Sequence, residues 1–326
     1  MAHTKMTDSH LQDKKIVCLG GGIGTLNLIK GLRHYTENIA IVISMADDGG
    51  SGGRIRRLYN MLPPGDIVSC MSALTKHENE LLAKLLVYRF PGDRYSKDEE
   101  LAGHKLGNLI MVALRDLTGN FAEAILAFQK IFDVTGTFLP ATLEPVTISI
   151  NTKDGQEIHG EEAIDLGKYD WQKGIDNVKL HPENIEVNPE VVKAIQEADT
   201  IISGPGDLFT NILPILIVPG VKQALEESKA KKMLIINIAN KPFETHGYAL
   251  EDYFSALEKH IGKLPFDYIF VNNNHTIPMP EEHQYDYVVS KESVPAENIV
   301  LGDFVDEKFP LYHDSKKLAS AITKRI

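Results

Sequence analysis

The chain has 326 residues, of which 43% are hydrophobic and 24% charged, and its formal net charge is −11. This composition is typical of a globular protein with a large core and excludes a disordered chain. The negative charge argues against a general nucleic-acid binder, because non-specific affinity for a polyanion comes from clustered Lys and Arg. The two cysteines, Cys18 and Cys70, do not form the framework of a disulfide-stabilised extracellular domain.

The sequence predicts neither a signal peptide nor a membrane span. Its most apolar stretch, residues 212–221, is half the length needed to cross a bilayer and contains two prolines. The N-terminus up to Asp13 is polar and lacks a signal-peptide core. We therefore expect a cytoplasmic protein with a flexible leader over residues 1–13 and a single α/β domain over residues 14–326.

The predicted elements begin with a strand over residues 15–19, a helix after it and a second strand over 39–45. Residues 66–133 are largely helical, and a β-rich insertion is predicted over about 134–185. The pattern resumes with strands at 200–203, 233–238 and 266–271 and with helices at 189–197, about 221–230, 249–260 and from 314. This order predicts a doubly wound, mainly parallel Rossmann-like sheet with ligands at the carboxyl ends of its strands.

The first candidate ligand site is the turn after the first strand, Gly20-Gly21-Gly22-Ile23-Gly24-Thr25. A glycine-rich helix N-terminus presents N–H donors and partial positive charge to phosphate. A dinucleotide fingerprint needs G-x-G-x-x-G, and Thr25 stands where the third glycine belongs. Taken alone, the turn is compatible with a dinucleotide, another nucleotide or a purely structural bend.

The second strand ends in Asp47-Asp48-Gly49-Gly50-Ser51-Gly52-Gly53-Arg54, which predicts a second anion-binding loop. If the strand persists, Asp47 and Asp48 point to opposite sides, so one of them faces the ligand. The pair is also a candidate Mg²⁺ site, because Mg²⁺ takes carboxylate oxygens beside phosphate. Gly49, Gly50 and Arg54 are expected near the phosphates, with Arg54 as a movable counter-charge.

Later turns add hydrogen-bonding groups at the same edge of the predicted sheet. The candidates after the strand at 200–203 and the following strand are Gly204, Gly206, Asp207, Thr210, Asn237, Lys241, Glu244 and Thr245, and the helical part adds Asp66, His104 and Asn108. His104 and Asn108 are four residues apart and share a helix face. Asp207 also suits a helix N-cap, which is a purely structural alternative. The chain has no Walker lysine after Gly24 and no G-x-S-x-G, C-x-x-C or H-E-x-x-H motif, so no catalytic residue is assigned.

The complete motif set is more specific than its parts. Besides the two glycine-rich turns it comprises Pro63-Pro64-Gly65-Asp66, Gly103-His104-Lys105-Leu106-Gly107-Asn108, Gly204-Pro205-Gly206-Asp207-Leu208 and Pro242-Phe243-Glu244-Thr245. In this order and spacing, from about Lys15 to the C-terminal helix, the chain resembles the bacterial gluconeogenesis factor family, the YvcK-like proteins of the CofD-like superfamily of 2-phospho-L-lactate transferases. It departs from the family pattern at Asp207, where Ser is usual, and a carboxylate there repels phosphate unless a metal ion or an arginine intervenes.

The resemblance implies a protein that binds a UDP-sugar such as UDP-N-acetylglucosamine and supports cell shape during growth on gluconeogenic carbon sources. The CofD relatives instead move a 2-phospholactyl group from a guanosine diphosphate donor with Mg²⁺, so GDP and a transferase activity remain as an alternative. An NAD-dependent oxidoreductase ranks last. The family also permits a regulatory protein partner and a homodimer, with the apolar residues 213–218 as a contact or as core.

Overall fold

The computed structural model describes residues 10–76, 80–93, 101–263, 265–280, 284–291 and 298–326. Its strands are β1 (Ile16–Leu19), β2 (Ile39–Ile43), β3 (Thr137–Pro140), β4 (Thr147–Thr152), β5 (Glu157–His159), β6 (Ile175–His181), β7 (Thr200–Ser203), β8 (Lys231–Ile235), β9 (Ala239–Asn240), β10 (Tyr268–Asn272), β11 (Asp286–Tyr287) and β12 (Ile299–Gly302). Its helices are α1 (Gly22–Leu32), α2 (Gly50–Tyr59), α3 (Gly65–Ala73), α4 (Glu80–Leu86), α5 (Leu106–Thr118), α6 (Phe121–Phe132), α7 (Glu161–Asp165), α8 (Pro189–Glu197), α9 (Leu213–Leu216), α10 (Val221–Glu227), α11 (Leu250–Ile261) and α12 (Ser315–Thr323).

Seven strands form the central sheet, in the order β12-β10-β8-β7-β1-β2-β3. All of its neighbouring strands pair in parallel. The strands β1 and β7 are buried along their whole length, because helices cover both faces of a parallel sheet. The chain adds β2 and β3 on one side of β1 and then returns to add β7, β8, β10 and β12 on the other. The predicted doubly wound fold is confirmed, and its topological switch point lies between β1 and β7.

Helices α1 and α12 pack together on one face of this sheet. Their buried apolar residues include Leu28 and Leu32 from α1 and Leu318 and Ile322 from α12. The approach is close at Gly31, where a Cβ atom would lie 2.1 Å from the carbonyl oxygen of Ser315. A larger residue at this position would force the two helices apart.

A small antiparallel sheet, in the order β5-β4-β6, forms the β-rich insertion. It begins later than expected: β3, which falls inside the predicted range of 134–185, pairs in parallel with β2 and is an edge strand of the central sheet. The buried residues Phe138 and Leu139 explain this position, since an apolar strand gains more by extending the main core.

The second glycine-rich segment differs from the predicted loop. Helix α2 begins at Gly50, so Gly50–Gly53 are helical, and a Cβ atom at Gly53 would lie 1.7 Å from the carbonyl oxygen of Asp48. The glycines therefore permit a close backbone approach as well as a turn. The edge strand β12 was not predicted: its apolar run, Ile299 to Leu301, is only three residues long, and as an edge strand it is only partly buried.

The apolar segment 212–221 belongs to the core, since Leu213, Ile215 and Leu216 are fully buried within the chain. It therefore gives no support to a dimer contact. Within the described ranges, no single helix is long and apolar enough to cross a membrane; one pair of short helical stretches, Leu208–Leu216 with Val221–Glu227, matches by length and composition alone and is bent by 67°.

Candidate functional site

A cleft of about 510 Å³ opens at the carboxyl ends of β1, β2, β7 and β8. It lies at the topological switch point, where open α/β sheets bind their ligands, and its volume falls in the range of roughly 300–1,000 Å³ typical of small-molecule sites. Among the described residues, six carboxyl groups and three cations line it: Asp47, Asp66, Glu161, Glu162, Asp165 and Asp207, with Arg89, Lys105 and Lys241.

The first glycine-rich turn forms one wall of the cleft. Gly22, with a φ of +64°, begins α1, and its N–H faces the carboxyl of Asp66 from α3, where it acts to lower the pKa of that group. The approach is tight, since a Cβ atom at Gly21 would lie 2.4 Å from Oδ2 of Asp66. The N-terminus of α1 thus faces a carboxyl oxygen at the place where the sequence predicts a phosphate.

Thr25 and Gly24 join this turn to the next wall. The Thr25 hydroxyl donates to the carbonyl oxygen of Pro205 at 3.3 Å and is fully buried. A Cβ atom at Gly24 would lie 2.6 Å from the same oxygen. Gly24 lines the cleft, whereas Thr25 packs the two turns together.

Asp47 faces the cleft from the end of β2. Its Oδ1 accepts a hydrogen bond of 2.9 Å from the N–H of Gly49. Burial raises the pKa of Asp47 to about 7, and repulsion from Asp66 and Asp48 adds to the effect against the opposing influence of Gly49 and Lys105. Burial also raises the pKa of Asp66, although Lys105 and the Gly22 N–H act in the other direction. Perturbed carboxyl groups of this kind are common at ligand sites.

Asp48 has different surroundings from Asp47. Its Oδ1 accepts from the N–H of Glu162 at 2.9 Å, and its Oδ2 accepts from the hydroxyl of Thr147 at 3.3 Å. These contacts join the end of β2 to β4 and α7, and Asp48 does not line the cleft. The two carboxyl groups of the predicted Mg²⁺ pair are therefore directed to different parts of the molecule.

Arg54 also turns away from the cleft, contrary to the role expected for it. Its guanidinium donates to the carbonyl oxygen of Ala102. The cause is the early start of α2, which makes residue 54 part of a helix instead of a loop. Among the residues that line the cleft, the cations on this side are Lys105 and Arg89.

Lys105 and Arg89 were missed by the sequence analysis. The Lys105 ammonium donates to the hydroxyl of Ser69 at 2.7 Å, and burial lowers its pKa while Asp66 opposes the shift. Arg89 contacts the carbonyl oxygen of Gly103 and the hydroxyl of Ser51. Lys105 lies inside the Gly103–Asn108 motif and could have been predicted from it, but the neighbouring His104 was interpreted as the candidate site residue.

The predicted pair His104 and Asn108 is divided by the structure. Asn108 lines the cleft, and its buried Oδ1 has no hydrogen-bond partner within the described part of the chain. His104 is buried outside the lining, and its pKa is lowered by burial and by the nearby Arg54 and Arg89.

The turn after β7 forms the opposite wall. Gly204 has a φ of +82°, and a Cβ atom there would lie 2.7 Å from the carbonyl oxygen of Ile235, so only glycine fits this bend. The Gly206 N–H donates to Oδ1 of Asn237 at 2.9 Å, which fixes the amide of Asn237 at the cleft surface. Asn211, also missed in the sequence, lines the cleft with a buried Oδ1 for which the described residues provide no donor.

Lys241 is the centre of an ion-pair cluster at the far end of the cleft. Its Nζ lies 2.8 Å from Oδ2 of Asp207 and 2.9 Å from Oε1 of Glu244, and it also contacts the carboxylate of Asp165. Burial lowers the pKa of Lys241, but the attraction of Asp207, Glu244 and Asp165 outweighs it and raises that pKa well above the usual value. Asp207 therefore has a lysine beside it as its counter-charge.

Glu244 and Thr245 support this cluster from behind. Glu244 is buried and accepts from the Thr210 hydroxyl at 2.8 Å and from the Phe209 N–H at 3.2 Å. The Thr245 hydroxyl accepts from the Lys241 N–H at 2.9 Å and thus holds the turn that carries the lysine. Thr210 and Lys241 line the cleft, whereas Glu244 and Thr245 do not.

Four residues distant in sequence also line the cleft: Tyr285, Leu311, Tyr312 and His313. Burial lowers the pKa of His313 to about 3, so its imidazole is neutral, and its Nε2 has no hydrogen-bond partner within the described ranges. They enter the cleft from the C-terminal part of the chain, far in sequence from the glycine-rich turns.

The structure thus brings most of the predicted site residues to one surface. Those that line the cleft are Gly21, Gly22, Gly24, Asp47, Gly49, Gly50, Asp66, Asn108, Gly206, Asp207, Thr210, Asn237 and Lys241. Those that do not are Thr25, Asp48, Arg54, His104, Gly204, Glu244 and Thr245. Their roles in ligand binding stay predictions. Chemically, the surface offers backbone N–H groups and cations for phosphate, and carboxylates and amides for hydroxyl groups.

Comparison with known proteins agrees with the sheet topology. A family model described as 2-phospho-L-lactate transferase CofD matches residues 16–314. A gluconeogenesis factor of Bacillus subtilis is 35% identical, the match covering 95% of this chain and 98% of that protein. One of Listeria innocua is 34% identical, with 94% of each chain covered. A crystal structure of a Bacillus halodurans protein superposes with a TM-score of 0.85 at 32% identity and covers 96% of this chain and all of the other.

Proposed function

The chain belongs to the CofD family and is homologous to bacterial gluconeogenesis factors, and from this membership and the cleft we propose that it binds a UDP-sugar such as UDP-N-acetylglucosamine. One observation carries the proposal. The N-terminus of α1 opens into a cleft of ligand size beside Lys105, and a helix N-terminus with a cation is an arrangement that favours phosphate. The contact between the Gly22 N–H and the Asp66 carboxyl supports it, because that donor already faces an acceptor oxygen.

In the proposed complex the diphosphate lies against Gly21, Gly22 and Lys105, with Arg89 nearby. The Gly22 N–H then donates to a phosphate oxygen instead of facing the Asp66 carboxyl. Since the two groups compete for one donor, ligand binding and ionisation of Asp66 oppose each other.

The cleft needs further counter-charge before it accepts a diphosphate, because its six carboxyl groups outnumber its three cations. A proton on Asp47, whose pKa is about 7, supplies part of it. Mg²⁺ bound to the diphosphate supplies the rest, with Asp47 as the proposed protein ligand. Asp48 is not proposed as a ligand, since its carboxyl already accepts hydrogen bonds from Glu162 and Thr147.

The opposite wall suits the sugars and the base. Asp207, Thr210 and Asn237 offer acceptors and donors to hydroxyl groups, and the Lys241 cluster holds Asp207 in position. Tyr285 and Tyr312 offer aromatic surface to the base. We propose these residues as the ribose, sugar and base contacts.

The proposed role of the bound state is regulatory: the protein senses a UDP-sugar and supports cell shape during growth on gluconeogenic carbon sources. The names of the Bacillus and Listeria relatives support the metabolic part of this role.

The family description favours a second candidate, transfer of a 2-phospholactyl group from a guanosine diphosphate donor with Mg²⁺. A homodimer and a regulatory protein partner stay predictions, and the mass of the purified protein by light scattering tests the first.

Calorimetric titration with UDP-N-acetylglucosamine, GDP and NAD, each with and without Mg²⁺, tests the proposal. We expect micromolar binding of UDP-N-acetylglucosamine, with the ligand recovered intact by mass spectrometry. A preference for GDP with Mg²⁺ would instead support the transferase, and tight binding of NAD alone would contradict both candidates.

A further inference from the structure

A second group of ligating side chains lies on the small sheet, outside the cleft. Glu157 and His159 belong to β5 and His181 belongs to β6, and their ligand atoms all lie within 4.8 Å of one another. None of the three lines the cleft. The group therefore has no part in the nucleotide site described above.

The strand register places these side chains on one face of the sheet. Side chains alternate between the faces of a strand, and Ile150, Ile158 and Val178, which pair across the three strands, are buried on the inner face. Glu157, His159 and His181 occupy the alternate positions. They consequently share the outer face, where Glu157 and His159 are exposed to solvent.

The two histidines meet because the strand between them carries a small residue. Strands β5 and β6 flank β4, so their backbones are about 10 Å apart. On the outer face β4 presents Ser149, over which the two imidazole rings approach to 5.3 Å between centroids. The Ser149 hydroxyl lies 2.7 Å from Nε2 of His181 and donates to Oε1 of Glu157 at 3.0 Å. Nε2 of His159 lies 3.7 Å from the other carboxylate oxygen.

We propose that Glu157, His159 and His181 form a zinc-binding site on the outer face of the small sheet. Two imidazole nitrogens and one carboxylate oxygen are a donor set that Zn²⁺ takes in proteins, with a fourth position left for water. Zinc bonds of about 2 Å require the three donor atoms to converge by roughly 1 Å from their present spacing. Exposed side chains that end at the sheet surface can make that movement without disturbing the core.

The site differs in kind from the acidic cluster at Lys241. There, three carboxylates already share an ammonium group. On the small sheet, within the described part of the chain, Glu157 contacts the Ser149 hydroxyl and the His159 imidazole, and no lysine or arginine forms an ion pair with it. Strand β5 continues through Gly160 into α7, whose Glu161 and Asp165 line the nucleotide cleft. A metal ion at β5 would therefore hold the segment that leads into that wall.

Titration of the metal-free full chain with Zn²⁺ alone, in competition with a chromogenic chelator, tests the site. We expect one equivalent of Zn²⁺ bound by the unmodified chain. Loss of a direct ligand is expected to exceed the roughly 10–100-fold cost of losing an outer-shell partner, so His159→Ala and His181→Ala should each lose stoichiometric binding. Circular dichroism of both variants checks that they fold, and substitution of Co²⁺ for Zn²⁺ gives a second readout through its visible absorption.

Two control variants separate a built site from adventitious binding. Lys179→Gln removes a charged side chain from the same face of β6 without removing a ligand, and His275→Asn removes an exposed histidine outside the small sheet. Both should bind Zn²⁺ as the unmodified chain does. Equal binding by His159→Ala and His181→Ala, or no stoichiometric binding by the unmodified chain, would overturn the proposal. Nucleotide is absent from the assay, so its result is independent of the proposed function.

Discussion

At one end of the cleft Lys241 lies among three carboxylates, and at the other end Asp47 and Asp66 lie near each other with Lys105 beside them. The first group is compensated: the ammonium contacts Asp165, Asp207 and Glu244 directly. The second is not fully compensated: repulsion between Asp47 and Asp66 adds to burial, and the one nearby ammonium, Lys105, donates its hydrogen bond to Ser69. One end of the cleft thus carries its own counter-charge, whereas the other keeps carboxyl groups that Lys105 offsets only in part.

The difference also explains why raised pKa values alone do not identify a site. A buried ion-pair network perturbs ionisation as strongly as a binding site does. The two ends of the cleft differ in whether each charged group is already paired with a group of opposite charge. Substitutions at the two ends should therefore affect stability and binding differently.

Replacing Lys241 by methionine should destabilise the protein most. The substitution leaves buried Glu244 without its cation, and breaking a buried pair in this way costs about 3–5 kcal/mol of the free energy of unfolding. Urea unfolding measures the change. Lys259→Met is the matched control, since the exposed pair of Lys259 with Asp176 should contribute less than about 1 kcal/mol. Equal losses in the two variants would show that the Lys241 cluster does not stabilise the fold.

Replacing Asp47 by asparagine should stabilise the protein at alkaline pH. The pKa of Asp47 is about 7 in the folded state against an ordinary value of 3.8, so the folded state holds its proton more tightly. The stability this confers is present below the unfolded pKa and is lost as pH rises through about 7. At about 1.4 kcal/mol per pKa unit, Asp47→Asn should gain roughly 1–4 kcal/mol above pH 7 relative to the unmodified chain.

The gain from Asp47→Asn should shrink as pH falls below about 7 and disappear below the ordinary value of 3.8, where Asp47 is protonated in both the folded and the unfolded state. Unfolding by urea across this pH range measures it. Asp199→Asn is a control of opposite sign, because the N–H of Lys15 holds the pKa of Asp199 below its usual value. That variant should lose stability at neutral pH. If Asp47→Asn also lost stability at neutral pH, the Asp47 carboxyl would not lack a counter-charge in the folded protein.

Replacing Lys105 by glutamine should weaken ligand binding with a smaller effect on folding. Removal of one cation from the phosphate end is expected to lower the affinity for UDP-N-acetylglucosamine by about tenfold, or 1.4 kcal/mol. Calorimetry measures this affinity. Arg54→Gln provides the comparison, because Arg54 does not line the cleft although the sequence suggested it. If Arg54→Gln lowered the affinity more than Lys105→Gln, Arg54 and not Lys105 would be the phosphate contact.

Asp48→Asn should have the smallest effect on binding. Its carboxyl accepts from Glu162 and Thr147, so we expect a stability loss of about 1 kcal/mol from the weakened charged hydrogen bonds. The affinity for UDP-N-acetylglucosamine should change by less than about threefold, since Asp48 lies outside the lining. A loss of affinity well beyond threefold would place the Asp48 carboxyl in the binding site, contrary to its position outside the lining.

The sequence was sufficient to predict five of the seven strands of the central sheet and the edge at which the cleft lies. Buried apolar strands that alternate with amphipathic helices indicate a parallel sheet, and glycine turns at the strand ends indicate its ligand edge. For this reason Gly21, Asp47, Gly206 and Asn237 meet at one surface as expected. Local pattern carries this information, since each turn directly follows its own strand.

The direction of individual side chains was not predictable in the same way. Whether Arg54 faces the ligand depends on the residue at which α2 begins, and a run of four glycines does not define that start. The contact of Asp66 with Gly22, and the approach of His313 to the cleft, join segments far apart in the chain. Spacing within one motif contains no information about such long-range packing.

The pH dependence of binding tests most directly whether the diphosphate occupies the uncompensated end. UDP-N-acetylglucosamine is the suitable ligand, because its diphosphate does not titrate near neutral pH, and Mg²⁺ is left out so that protons supply the counter-charge. We expect the affinity of the unmodified chain to rise as pH falls through about 7, and the affinity of Asp47→Asn to be higher at pH 8 and to change less with pH, since Asp66 and Glu161 still titrate in that variant. The same pH profile in both proteins would contradict binding of the diphosphate beside Asp47.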